Sequence, residues 1–121
     1  MRIGELAERA RTSPRTLRYY EQQGLLSTRR TANGYREYDD VDLRLVREIR
    51  SLLDIGFSLE DTRPFVECLR SGHESGAECP ASAEVLARKL ADLDTCISRL
   101  HEVRERVRSE LERISNDCPC H

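Results

Sequence analysis

The chain has no tryptophan, two phenylalanines and four tyrosines, so aromatics make up only 5% of its residues and little bulky material exists to fill a core. Some of its stability is therefore expected to come from helix pairing or a partner chain. No apolar run approaches the ~20 residues that a membrane span needs, and no signal-peptide core follows Met1, which points to a cytoplasmic protein. A phosphate-cradling glycine loop, a nucleophile with a positioned base and a paired acidic site are all missing, so an enzyme is not expected. A length of 121 residues suits a compact head joined to one long dimerising helix and is too short for a large enzyme.

Charge of a single sign is also lacking overall, with 20 basic residues against 22 acidic ones for a net charge of −2. Its distribution is uneven. Residues 1–38 carry eight arginines (2, 9, 11, 15, 18, 29, 30 and 36) against four glutamates, a local balance of +4 that leaves −6 for the rest. Lysine is nearly absent, and the arginine bias, largely compositional, also suits bidentate phosphate contacts. Five cysteines stand at 68, 79, 96, 118 and 120. An odd count in a reducing compartment argues against a disulfide framework and leaves metal ligation, thiol sensing or plain burial.

Helical periodicity organises most of the sequence. Ile3, Leu6, Ala7 and Ala10 predict a short helix over 3–10. Ser13 can cap and Pro14 open a second helix over about 14–23, which Gly24 stops. Two short helices joined by a tight turn make a helix-turn-helix unit. Residues 27–38 change character around Asn33-Gly34, a dipeptide suited to a hairpin turn, and predict a small β-wing. Asp39 or Asp40 then caps a third helix carrying Leu43, Val46, Ile49, Leu52 and Leu53, ending at Gly56. Ser58 and Asp61 resemble a capping box for a fourth helix toward Leu69, in which Pro64 should introduce a kink or a restart.

Residues 71–81 read as a Gly/Ser linker. Beyond it Leu86, Leu90, Leu93, Ile97, Leu100, Val107, Leu111 and Ile114 alternate in steps of four and three, a heptad seam interrupted only by Arg104. A helix of about 30 residues would be ~45 Å long and cannot bury such a stripe against a small head. It needs a second copy of itself.

A helix beginning at Pro14 can lay its first turns in a major groove, where Arg15 and Arg18 reach bases or phosphates and tyrosine hydroxyls reach the backbone. The wing residues Arg36 and Tyr38 can grip neighbouring phosphates. Leu17, one of the Tyr19/Tyr20 pair, Leu25 and Tyr38 are also candidates for the head core.

The order IGELA, LRYYEQQGLL, Arg29-Arg30, NGYREY, LRLVREI and LLDIGFSLED, nearly without gaps over residues 1–66, resembles the MerR family of transcription regulators. The resemblance implies a mainly α fold: a winged helix-turn-helix head over 1–70, the linker 71–81, an antiparallel coiled-coil dimerisation helix over 82–115 and a Cys/His effector tail over 116–121. It implies a homodimer on double-stranded promoter DNA that bends and untwists the site so that RNA polymerase can start. Carried over by motif, Arg18, Tyr19 and Tyr20 are recognition-helix contacts, Arg36 and Tyr38 wing contacts, and Arg15 and Thr16 further candidates. Pro64 departs from the family's usual helix in that region.

In an antiparallel pair, Cys79 of one chain approaches Cys118, Cys120 and His121 of the other. Three thiolates and an imidazole suit a soft or borderline divalent ion such as Zn²⁺, Cd²⁺, Hg²⁺ or Co²⁺. A Cys ahead of the long helix is similar to the family's divalent-ion sensors, whereas its copper-type sensors carry Ser there. The sequence departs from those sensors in the short spacing after Cys118. The same thiols also permit redox or electrophile sensing, and an effector-independent repressor with an inert tail is a third reading. Cys68 is expected to pack as a small hydrophobe, Cys96 to flank the seam, and His101 to lie on the surface. His73 is an outside candidate for a ligand, and Arg104 for setting seam register.

Overall fold

The computed structural model describes residues 1–27, 29–30 and 32–117. Cys118, Cys120 and His121, expected in the effector tail, lie outside the described residues, as do the side chains of Arg29, Arg30 and Arg36. The elements run α1 (Ile3–Arg9), α2 (Pro14–Gln22), β1 (Arg29–Arg30), β2 (Arg36–Glu37), α3 (Asp40–Asp54), a 3₁₀ turn (Glu60–Thr62), α4 (Arg63–Arg70) and α5 (Pro80–Asp117). Among the described residues no helix is long and apolar enough to cross a membrane.

The caps explain the boundaries. Ser13 Oγ accepts the Thr16 amide at 3.2 Å with Pro14 in the first turn, and α2 closes at Gln23 before Gly24, whose φ of 77° an L side chain would resist. Asp39 is the cap of α3: it accepts from the Asp42 amide while Asp42 accepts from the Asp39 amide, at 3.0 and 2.9 Å. Ser58 and Asp61 exchange the same reciprocal bonds, yet they open only a single 3₁₀ turn. The helix restarts at Arg63, with Pro64 in its first turn where the missing N–H costs nothing. The expected wing is present as a two-residue antiparallel ladder pairing Arg29 with Glu37 and Arg30 with Arg36.

The chain separates into two compact units, Met1–Val85 and the segment from Leu86 onward. In the first, Leu6 from α1, Leu17 and Tyr20 from α2, Tyr38 after the wing, Leu45, Val46 and Ile49 from α3, and Val66 from α4 form one buried core. Burying each large apolar side chain contributes about 1.5–3 kcal/mol, which is how a head poor in aromatics coheres. Leu52, Phe57, Phe65 and Val85 make a second cluster, with the two phenyl rings edge to face at 6.1 Å. Among the described residues the second unit is helix alone. Every seam residue from Leu86 to Ile114 is exposed on it, and Ile97 and Leu100 keep 63% and 68% of their surface open.

Candidate functional site

On α2 the side chains separate into two faces. Leu17 and Tyr20 point into the core, while Arg15, Arg18 and Tyr19 are exposed and Thr16 is half-buried. Thr16 also bonds Ser13 across the cap, Oγ to Oγ1 at 3.0 Å. Tyr20 and Tyr38, expected among the DNA-contacting residues, are instead 4% and 1% exposed. Tyr38 hydrogen-bonds the Glu21 carboxylate through its hydroxyl, which fixes α2 against the end of the wing. Their rings are therefore placed to hold the exposed face of α2. Burial pushes the Tyr20 hydroxyl above its ordinary pKa, an effect the Arg50 guanidinium partly opposes. The wing presents Tyr35, half exposed, with the Arg2 guanidinium 4.2 Å over its ring.

Arginines on α3 and α4 close the carbonyl ends of the helix-turn-helix. Arg47 and Arg50 donate to the carbonyls of Arg9 and Ala10 at the end of α1, at 3.4 and 2.7 Å. Arg63 donates to Gln23 at 2.7 Å and Arg70 to Leu25, both just beyond α2. Carbonyls at and just past a helix C-terminus lack the intrahelical partner that earlier ones have, so guanidinium donors satisfy groups that water would otherwise have to reach. The role is invisible in composition. Arginines 44, 47 and 50 do recur three apart along α3, a one-sided spacing that could have revealed it.

The segment 71–81 was read from sequence as a linker; α5 takes it from Pro80 onward, and residues 71–79 fold back onto this head. Arg44 donates to the carbonyls of His73 and Glu74 at 3.3 and 2.7 Å. Gly76 is buried so tightly that a Cβ there would meet the Phe65 carbonyl oxygen at 3.0 Å. The loop thereby returns Cys79 to Cys68 of α4. The two are disulfide-bonded across an 11-residue separation, with Cα atoms 5.9 Å apart. The sequence argued against a disulfide framework, and among the described residues this single pair is bonded. Cys68 is 2% exposed, as a packing residue would be, but it is bonded as well as buried.

His73 joins the pair, its Nδ1 lying 3.7 Å from Cys79 Sγ and 3.1 Å from the Cys68 carbonyl oxygen. One ligand atom from each of Cys68, His73 and Cys79 falls within 4.8 Å of the others. Cys96 is exposed on α5 as a free thiol. Of the four expected effector residues, Cys79 alone is among the described ones; His73 was an outside ligand candidate in the sequence, and the place of Cys68 beside both was missed. Its signal was the helix stop at Gly72, whose φ of 96° turns the chain back toward α4.

Comparison with known proteins agrees along most of the chain. The profile of the MerR HTH family of regulatory proteins matches residues 1–67, and the MerR DNA-binding profile matches residues 43–109. The HTH-type transcriptional regulator ZntR of Escherichia coli strain K12 is 35% identical over 97% of this chain and 79% of its own length. Among solved structures, the transcription regulator PbrR691 from Ralstonia metallidurans CH34, crystallised in complex with lead(II), is similar with a TM-score of 0.67 and 28% identity, over 98% of this chain and 87% of that one. HiNmlR, a MerR family regulator lacking the sensor domain and bound to promoter DNA, is similar with a TM-score of 0.59 and 25% identity, over 87% of this chain and 78% of that one.

Proposed function

The chain belongs to the MerR family of DNA-binding transcriptional regulators, and from that premise we propose that it is a homodimeric promoter-binding regulator whose effector is a soft divalent metal ion held through Cys79. The observation that carries the metal reading is the position of Cys79, one residue before Pro80 opens α5 and within ligand distance of a second sulfur and an imidazole. The lead(II) complex of PbrR691, similar over nearly the whole chain, supports it. Thiolate and imidazole donors together favour Zn²⁺, Cd²⁺, Hg²⁺, Co²⁺ or Pb²⁺ over hard cations.

The exposed side chains of Arg15, Arg18 and Tyr19, with Thr16 at their edge, form the surface that enters the major groove. Arg36, a wing contact by the family motif, is the candidate for a flanking phosphate, while Tyr20 and Tyr38 hold α2 from the core side. The exposed seam of α5 pairs with a second copy in antiparallel register, since an apolar stripe of this length needs cover. That pairing brings Cys118, Cys120 and His121 of one chain to Cys79 of the other. Metal bound there changes the dimer's geometry and distorts the promoter so that RNA polymerase can start.

An anaerobic titration of the reduced dimer with each of these divalent ions and with Cu⁺, followed by thiolate-to-metal absorption, tests the effector. Saturable divalent binding that collapses in Cys79→Ser is expected. Failure of any divalent ion to bind, or binding indifferent to Cys79→Ser, would overturn the metal reading.

A further inference from the structure

Cys68 and His73 fall outside the effector set just described, yet both touch Cys79. We infer that Cys68, His73 and Cys79 of one chain form an intrachain dithiol–imidazole site for a soft divalent cation, and that oxidation to the Cys68–Cys79 disulfide closes it. This site rests on the metal reading, shares Cys79 with it, and adds a redox control.

The geometry fits such an ion. Metal–sulfur bonds of about 2.3 Å and a metal–nitrogen bond of about 2.0–2.1 Å at tetrahedral angles place sulfur about 3.6 Å from nitrogen and about 3.8 Å from the second sulfur. His73 Nδ1 already stands 3.7 Å from Cys79 Sγ. Cys68 Sγ lies 3.6 Å from the Ser75 carbonyl oxygen, which can accept a hydrogen bond from the thiol when the pair is reduced. Opening the disulfide and separating the sulfurs to chelating distance asks for movement of the two side chains, while the loop backbone stays fixed by Arg44 and Gly76. Water supplies the fourth ligand and completes the shell.

The two states exclude each other. A disulfide shares between its sulfurs the electrons that two thiolates would offer a metal. Closing the site removes two protons and two electrons, which a low-molecular-weight disulfide such as oxidised glutathione accepts. The Cys79 thiolate attacks and breaks the glutathione disulfide, releasing one glutathione thiol. The Cys68 thiolate then attacks Cys79 sulfur, forms the Cys68–Cys79 bond and expels the second. Cys79, half-buried where Cys68 is buried, is the sulfur an external reagent meets first. Metal binding starts from the dithiol that an external dithiol restores, releasing the two thiol protons to solvent and replacing the contact of His73 Nδ1 with the Cys68 carbonyl.

The test uses the full-length dimer, reduced and anaerobic, with Cd²⁺ as the probe. A Cys118→Ser/Cys120→Ser variant, lacking the tail thiols, is expected still to bind one Cd²⁺ per chain. Adding His73→Ala or Cys68→Ser should weaken that binding at least about tenfold. His73→Ala alters a loop side chain and keeps the test informative where Cys68→Ser disturbs folding. Oxidised glutathione should lower the mass by two hydrogens, map the crosslink to Cys68 and Cys79, and abolish Cd²⁺ binding until a dithiol restores it. If the tail variant binds no Cd²⁺ while the wild type does, the intrachain site is wrong and the inter-subunit reading stands. Unchanged affinity in both His73→Ala and Cys68→Ser, or Cd²⁺ binding that survives oxidation, overturns the inference equally. A wild type that binds no metal removes the effector reading itself, and the intrachain site with it.

Discussion

Arg63 of α4 donates to the carbonyl oxygen of Gln23 at 2.7 Å, joining the helix that carries Cys68 to the residue that closes α2. Arg70, about two turns further on, reaches Leu25 in the same way. A change at Cys68 therefore has a short covalent and hydrogen-bonded connection to the end of α2, the helix proposed to enter the major groove. In Arg63→Ala/Arg70→Ala, removing each bond should reduce stability by about 1 kcal/mol. Affinity for a promoter duplex should fall as well, because α2 loses its fixed angle. Denaturant unfolding beside duplex titration checks both. Full DNA affinity in the folded double variant would show that these bonds stabilise without orienting.

Ser82, in the first turn of α5, buries a hydroxyl that finds no partner among the described residues. An unsatisfied buried hydroxyl costs free energy that its removal returns. Ser82→Ala should therefore be neutral or stabilising by about 1 kcal/mol, read as the shift in denaturant midpoint at unchanged slope.

Tyr20 titrates above its ordinary value because burial disfavours the phenolate, with Arg50 opposing. A pKa raised on folding means that the native state holds this proton more tightly than the unfolded chain does. The stability this contributes is complete below the unfolded tyrosine pKa and is lost as pH rises through the folded one. Alkaline titration of tyrosinate absorption should show Tyr20 ionising above the range of an ordinary tyrosine, with stability falling there. The late step should disappear in Tyr20→Phe.

Much of this was legible in the sequence because the residues responsible act locally. Ser13-Pro14, Asp39 and Gly56 set boundaries through bonds or backbone angles a few residues away, and the heptad spacing from Leu86 to Ile114 declares its own helix. The head's family likeness lay in a run of motifs read directly from the sequence. What was not legible depends on distant contacts. Tyr20 and Tyr38 have the composition of DNA-contacting residues, and only the packing of α1, α2 and α3 around them sends them inward. The return of Cys79 to Cys68 depends on a glycine that fits against Phe65, which no periodicity signals, and on Arg44, whose spacing with Arg47 and Arg50 marks a face but not the loop carbonyls it holds.

The seam of α5 yields a prediction about assembly. Ile97→Glu/Leu100→Glu places charge at two of its most exposed apolar positions. Sedimentation should show the dimer dissociating. Helical signal should fall as well, since a long helix without cover loses much of its support. The head should keep its own cooperative unfolding. A variant that stays dimeric would move the interface elsewhere.

DNA binding through the arginines of α2 is tested most directly by the salt dependence of affinity for a duplex selected from a randomised pool. Wild type is compared with Arg15→Ala/Arg18→Ala. Each neutralised phosphate contributes about 0.9 to the slope of log affinity against log salt, so the wild-type dimer should show a steep slope. The variant's slope should be shallower by about 0.9 for every phosphate it no longer reaches, and its affinity weaker throughout. A flat wild-type response, or a variant indistinguishable from wild type, would contradict the assignment of this face to DNA.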